Sequence, residues 1–226
     1  MEYCGMQEHF DALVLWMVEL EIAGTVDGIF FTELRHSEWY LLVAHAWWAL
    51  WRVLGFLLLP MLIIKLSKGK VSDQYCSTRG FRDHLWIYLL AFAVVFACVI
   101  GVSFTEGFST HYPFYEESHR SWFDLLTWEL LYILQFLGVE YLFRGWRRRS
   151  CESALGSHAI FAMIAPYVMI HFGKEWAETC GAIFAGVFLG TLAMRTRSIW
   201  GGFLVHCLVA VSMDVAALLQ TTGLPS

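Results

Sequence analysis

Between Asp83 and Glu106 the chain reads HLWIYLLAFAVVFACVIGVSFT, twenty-two residues without a formal charge. At a rise of about 1.5 Å per residue such a helix covers the roughly 30 Å of a bilayer's hydrocarbon core. No soluble domain needs an apolar run of this length. The rest of the chain agrees. Of 226 residues 58% are hydrophobic and only 15% charged, with 11 Trp and 18 Phe, and the mean hydropathy is +0.56. An ordinary soluble domain is about 25% charged. That much apolar surface cannot be buried in one core of this size. The composition also excludes a disordered chain and a repeat solenoid. A net charge of −5 and a pI near 6.0 argue against nucleic acid as a partner. The reading is an integral, multi-pass membrane protein whose surroundings are the lipid bilayer.

Further spans are predicted at 39–65, 120–143, 155–172, 180–195 and 199–219, making six with 83–105. A seventh, 11–31, is interrupted by Glu19, Glu21 and Asp27; it reads as a span that buries its acids or as an interfacial helix, with the balance towards a span. The fold class is thus all-α, a polytopic membrane bundle of six or seven transmembrane helices. Basic residues orient it. Lys65, Lys68, Lys70, Arg79 and Arg82 lie in one loop, Arg144, Arg147, Arg148 and Arg149 in a second, and Arg195 and Arg197 in a third. The loops between them carry Glu106, Glu116 and Glu117, or Lys174, Glu175 and Glu178. The basic loops are expected on the cytoplasmic side of a plasma membrane, with the C-terminus outside. No cleavable signal peptide is apparent, because the N-terminus lacks a basic region. Cys4, Cys76, Cys98, Cys151, Cys180 and Cys207 are scattered without a CxxC, so they read as small packing residues.

An ionisable group inside a span costs several kcal/mol unless paired or hydrated, which makes each one a functional candidate. Glu129, Glu140, Arg144, His158, His171, His206 and Asp214 are concentrated in the last hundred residues. Glu140 and Arg144 are four apart, so one helix face carries both and the guanidinium can hold the carboxylate. His171 follows Tyr167 by one turn, and His206 stands about two turns into the last span.

This order, V-E-Y-L-F-R-G over 139–145, then Y-V-M-I-H over 167–171, then His206, resembles the CPBP family of intramembrane proteases, which includes the type II CAAX prenyl endopeptidases. The family is marked by EExxxR, FxxxH and HxxxN or HxxxD on a four-helix core. The resemblance covers roughly 120–219, after N-terminal transmembrane helices over 1–119 and before a tail at 220–226. Three positions depart from the pattern: Val139 replaces the first Glu, Tyr167 replaces Phe, and Ala210 stands one turn after His206. The chain has no Asn, and Asp214, two turns after His206, is the nearest substitute. Counting the helix rise puts Glu140 at a depth of about 12 Å and His206 at about 10 Å. It puts His171 at about 18–24 Å and Asp214 at about 22 Å.

The resemblance implies endoproteolysis of a membrane-associated protein or peptide, with prenylated CAAX proteins and proteins bearing a C-terminal membrane segment as candidate substrates. Glu140 would be the general base on water, with Arg144 restraining it. His171 would position the water or shuttle its proton, and His206 with Asp214 would stabilise the oxyanion. No cofactor is expected. The alternative is zinc, held as His₂Glu by Glu140, His171 and His206, although no H-E-x-x-H is present. A serine mechanism at Ser103 fails because that residue lies at the opposite end of its span from His206. Asp27 and Asp214 lack the G-x-G-D setting of an aspartyl protease. From another class, a non-catalytic membrane partner or immunity-type protein would use the same groups as a structural network, whereas no inverted repeat supports a transporter. Ala182, Gly186 and Gly190 form a small-residue face for packing within the bundle or between subunits. The oligomeric state stays open.

Overall fold

The computed structural model describes residues 2–25, 28–172, 174 and 176–225, with side chains from residue 5 onward. Asp27, Glu175 and the Cys4 side chain, singled out above, lie outside the described residues. The helices are α1 (Glu2–Ile22), α2 (Phe30–Arg35), α3 (Tyr40–Leu66), α4 (Leu85–Val102), α5 (Trp122–Glu140), α6 (Arg148–Leu155), α7 (Ala159–Met169), α8 (Trp176–Thr196) and α9 (Trp200–Gln220). Helix satisfies every backbone polar group within its own segment, which is what hydrocarbon demands. Trp86, Leu90 and Val94 of α4 and Phe184 of α8 are largely exposed, so the bundle's outer surface is built for lipid. The protein is an all-helical integral membrane protein.

Among the described residues five helical runs are long and apolar enough to cross a bilayer. The segments expected at 120–143 and 155–172 fall in one of them, Trp122–Met169, because a π-helical stretch, Tyr141–Arg147, joins α5 to α6 without a break. At 48 residues that run is longer than one crossing needs, and Tyr167 of α7 packs back against Phe143 and Arg144, so the two expected segments lie side by side within it. The expected span over 11–31 is corrected. Helix α1 ends at Ile22, and the Glu21 carboxylate accepts from Phe31 N (2.7 Å), Thr32 N (2.9 Å) and Thr32 Oγ1 (2.8 Å) at the start of α2. An acid that satisfies the next helix's free amides ends a span instead of crossing within it.

Two features position the functional region. An aromatic column, Trp48, Phe114, Trp128 and Tyr132, stacks between α3, α5 and the loop before α5, with centroid spacings of 5.3, 5.6 and 4.8 Å. At the other end the basic loops interlock. Ile199 N donates to Tyr75 O (2.8 Å), Trp200 Nε1 to Cys76 O (3.1 Å) and Tyr75 Oη to Glu152 (2.6 Å). Arg148 and Arg197 both approach the Tyr75 ring. A Cβ on Gly80 would fall 1.8 Å from the Thr196 carbonyl, so only glycine allows this closure. The three basic stretches thus share one end of the bundle, as their common sidedness requires. The small-residue face packs inside the bundle: Gly186 lies against Ile164 and Tyr167, and Gly190 against Met163.

Candidate active site

Helix α5 buries Leu125, Trp128, Tyr132, Gln135 and Val139, leaving Leu126 and Leu130 for lipid. These steps of three and four make one inward face, and its last turn carries Glu140. Glu140 is fully buried. Its Oε1 accepts a hydrogen bond from Arg144 Nη1 and lies 2.7 Å from His206 Nδ1, within ion-pair distance but out of line for a hydrogen bond. Its Oε2 has no hydrogen-bond partner and faces Gly202, where a Cβ would come within 2.2 Å. Arg144 sits in the π-helical stretch, also fully buried, with its guanidinium 4.6 Å above the Tyr167 ring. π-bulges inside α-helices recur at functional positions.

The histidines close the cluster. Tyr167 Oη hydrogen-bonds His206 Nε2 at 2.9 Å, and Phe136 stacks on the His206 ring at 5.4 Å. His171 lies one turn beyond Tyr167, its Nδ1 2.9 Å from the Tyr167 carbonyl. A carbonyl only accepts, so Nδ1 carries the proton, and in the neutral ring Nε2 keeps a lone pair. The 6–12 Å offset in depth between Glu140 and His171 that the rise arithmetic gives is thus bridged by Tyr167, whose ring centre lies 4.8 Å from that of His171 and 6.1 Å from that of His206.

Asp214 is brought elsewhere. Buried and saturated, it accepts from Phe114 N (3.0 Å) and Trp128 Nε1 (2.9 Å), tying α9 to the aromatic column. Two helical turns separate it from His206, about 12 Å along the axis. Asp214→Asn is expected to lower thermal stability, because one of the two accepting oxygens becomes an amide that opposes a donor, at about 1–3 kcal/mol. kcat should stay within a few-fold of wild type. A kcat loss of a hundredfold with unchanged melting would return Asp214 to the reacting groups.

A cavity of about 80 Å³ borders His171 and His206 and is lined also by Gln135, Val139, Lys174 and Glu178. Several waters fit such a volume. Lys174 and Glu178 pair at 2.5 Å, and Tyr112 Oη donates to Glu178 at 2.6 Å, forming a polar wall. Val139 lines this cavity, and Glu140 lies behind it. A second space, a cleft of about 790 Å³ between α4, α8 and α9, leads from lipid-exposed Trp86, Leu90 and Phe184 to Tyr167, His171 and His206. Helices α4 and α8 are joined at the basic end, where Tyr88 packs on Leu189 and Leu192 and its hydroxyl meets Thr196 Oγ1 at 3.2 Å. Among the described residues no three of His, Cys, Asp and Glu are grouped to hold a metal ion. His171 keeps a free Nε2, but Tyr167 Oη occupies His206 Nε2 and Arg144 holds Glu140, so the three are not grouped as the His₂Glu set of the zinc alternative. Ser103 bonds Ile100 O and Gln220, remote from the histidines.

Sequence reasoning did not identify Tyr167, Gly202 and Gln135 as parts of the site. The Tyr167–His171 spacing of four was legible; that the hydroxyl reaches His206 on another helix was not. Glycine at 202 was visible, but what it makes room for belongs to α5.

Residues 121–212 match the family model described as Type II CAAX prenyl endopeptidase Rce1-like. That segment contains Glu140, Arg144, Tyr167, His171 and His206 and stops short of Asp214. It bears out the resemblance read from the Glu–Arg and histidine motifs. No curated protein matches the chain, and no solved structure matches it.

Proposed function

We propose that the protein is a glutamate-dependent intramembrane endopeptidase that hydrolyses a peptide bond of a membrane-associated protein or peptide. The observation that carries this reading is the placement of Glu140 between Arg144 and His206, with His206 and His171 sharing one cavity. Glu140 is walled off from that cavity, so it serves by fixing His206 rather than by touching water. His171 Nε2 takes a proton from a cavity water, and the hydroxide adds to the scissile carbonyl. The Gln135 amide nitrogen, buried without a hydrogen-bond partner on the same cavity, supplies a donor for the oxyanion. The substrate's apolar segment enters by the cleft between α4 and α8, which exposes hydrocarbon-compatible side chains along its length.

Comparison of membrane-protein N-termini between wild-type cells and cells carrying Glu140→Gln tests this. A discrete set of new termini should disappear in the variant and likewise in His171→Ala, with insertion into the membrane unchanged. Termini that persist in an inserted Glu140→Gln protein overturn the proposal.

One observation favours a second reading, a non-catalytic membrane partner. Val139 lines the cavity at the position that a paired-carboxylate motif would give its first Glu. Under that reading the double variant Glu140→Ala, His171→Ala keeps its cellular function and no termini change.

A further inference from the structure

The hydrolysis outlined above must also deliver a proton to the leaving group. Cleaving an amide requires that the leaving nitrogen be protonated as the C–N bond breaks, since an amide anion is too poor a leaving group. We infer that the Tyr167 phenol is this acid; the inference rests on the hydrolase reading.

Tyr167 is held from every side. Its ring lies under the Arg144 guanidinium at 4.6 Å, meets Phe143 edge-on at 5.7 Å and packs beside His171 at 4.8 Å. Gly186 of α8 lies against the ring so closely that a Cβ there would come 3.2 Å from Cδ1. These contacts are those of a packed core aromatic, and a phenylalanine would make them all. The hydroxyl is what tyrosine adds, and it is the hydroxyl that reaches His206 Nε2 at 2.9 Å.

The proton directions follow from the partners. A carboxylate has no proton to give, so the His206 nitrogen facing it, Nδ1, is the protonated one. Nε2 of the neutral ring is then an acceptor, and Tyr167 O–H donates to it. Glu140 Oε1 stands 2.7 Å from His206 Nδ1 and Tyr167 Oη is bonded to Nε2, so carboxylate, imidazole and hydroxyl stand next to one another in that order. Tyr167 also lines the large cleft together with His171 and His206. One turn after His206 stands Ala210, which offers no polar group, so the polar contact to His206 Nε2 comes from α7.

The proton ledger closes without any other reagent. Water gives one proton to His171 Nε2 and its oxygen forms the new C–O bond. As the C–N bond breaks, its electron pair stays on nitrogen and takes the Tyr167 Oη proton. The resulting phenolate, with Arg144 over its ring, takes the proton that His171 gained. Water is consumed, a carboxylic acid and an amine are formed, and every side chain returns to its starting state. His171 stands beside the same ring, 4.8 Å between ring centres.

The test uses the full-length protein in phosphatidylcholine–phosphatidylglycerol vesicles. Its probe is an internally quenched peptide carrying a cleavage site recovered from the terminus comparison above. Tyr167→Phe should lower kcat about a hundredfold, the size of a lost general acid, with KM within about twofold. A second variant carries 3,5-difluorotyrosine at 167, which preserves the hydroxyl and makes it more acidic. It should retain turnover and shift the alkaline limb of the kcat–pH profile to lower pH, a change that a purely structural phenol would not produce. Tyr167→Phe with near-wild-type kcat, or a fluorinated variant with an unmoved profile, overturns the inference while leaving the hydrolase reading intact if Glu140→Gln is inactive. If no cleavage site depends on Glu140, the hydrolase reading falls first and this inference with it.

Discussion

Arg144→Met is expected to destabilise the solubilised protein by about 3–5 kcal/mol, the penalty for stranding one member of a buried ion pair. Glu140 and Arg144 are both completely shielded, and the carboxylate lies against Arg144 and His206. Taking both charges away is a different matter. Glu140→Leu with Arg144→Met replaces the pair by apolar groups of similar length, and such replacements of buried pairs are often neutral or stabilising. The double variant should therefore recover most of the melting temperature while remaining inactive. Intrinsic tryptophan fluorescence on heating, with 11 Trp as reporters, reads the first quantity, and peptide turnover reads the second. A single variant that melts like wild type would mean that the carboxylate is hydrated and the site differently built. An active double variant would remove Glu140 from the mechanism.

Gly202→Ala is expected to reduce kcat about a hundredfold, the cost of moving a positioned group by roughly 1 Å. The added methyl would meet Glu140 Oε2 at 2.2 Å, and the carboxylate has nowhere to retreat, since Oε1 is held by Arg144 and abuts His206. The strain falls on the contact that orients His206, so turnover suffers more than folding. Gly101→Ala is the control: it sits in α4 with nothing within 4 Å of the added Cβ, and it should be silent. A Gly202→Ala protein that keeps a third or more of wild-type turnover would show that Glu140 is not constrained against α9.

Particular residues mark how far local pattern reaches. The apolar run at 84–105 declares a spanning helix, and the run after Ser198 declares α9 to within a residue. The i, i+4 relation of Glu140 and Arg144 is set by helix geometry alone and holds even though the backbone widens into a π-turn between them. Elsewhere the pattern falls short. Apolar composition at 11–31 says nothing of Glu21 turning back to cap α2. Spacing along α5 likewise does not say which of two neighbouring residues, Val139 or Glu140, meets the cavity.

Membrane class, helical composition, the common side of the basic loops and the two motif-bearing segments were determined by the amino-acid order itself. The reason is that solvation in hydrocarbon and spacing along a helix are local properties. Tertiary structure alone decided that Tyr167 joins His171 to His206, that Gly202 makes room for Glu140, and that Asp214 braces the aromatic column instead. Those outcomes depend on the rotation and tilt of each helix about its own axis. Rotation and tilt are fixed by packing between segments far apart in the chain, and no single segment encodes them.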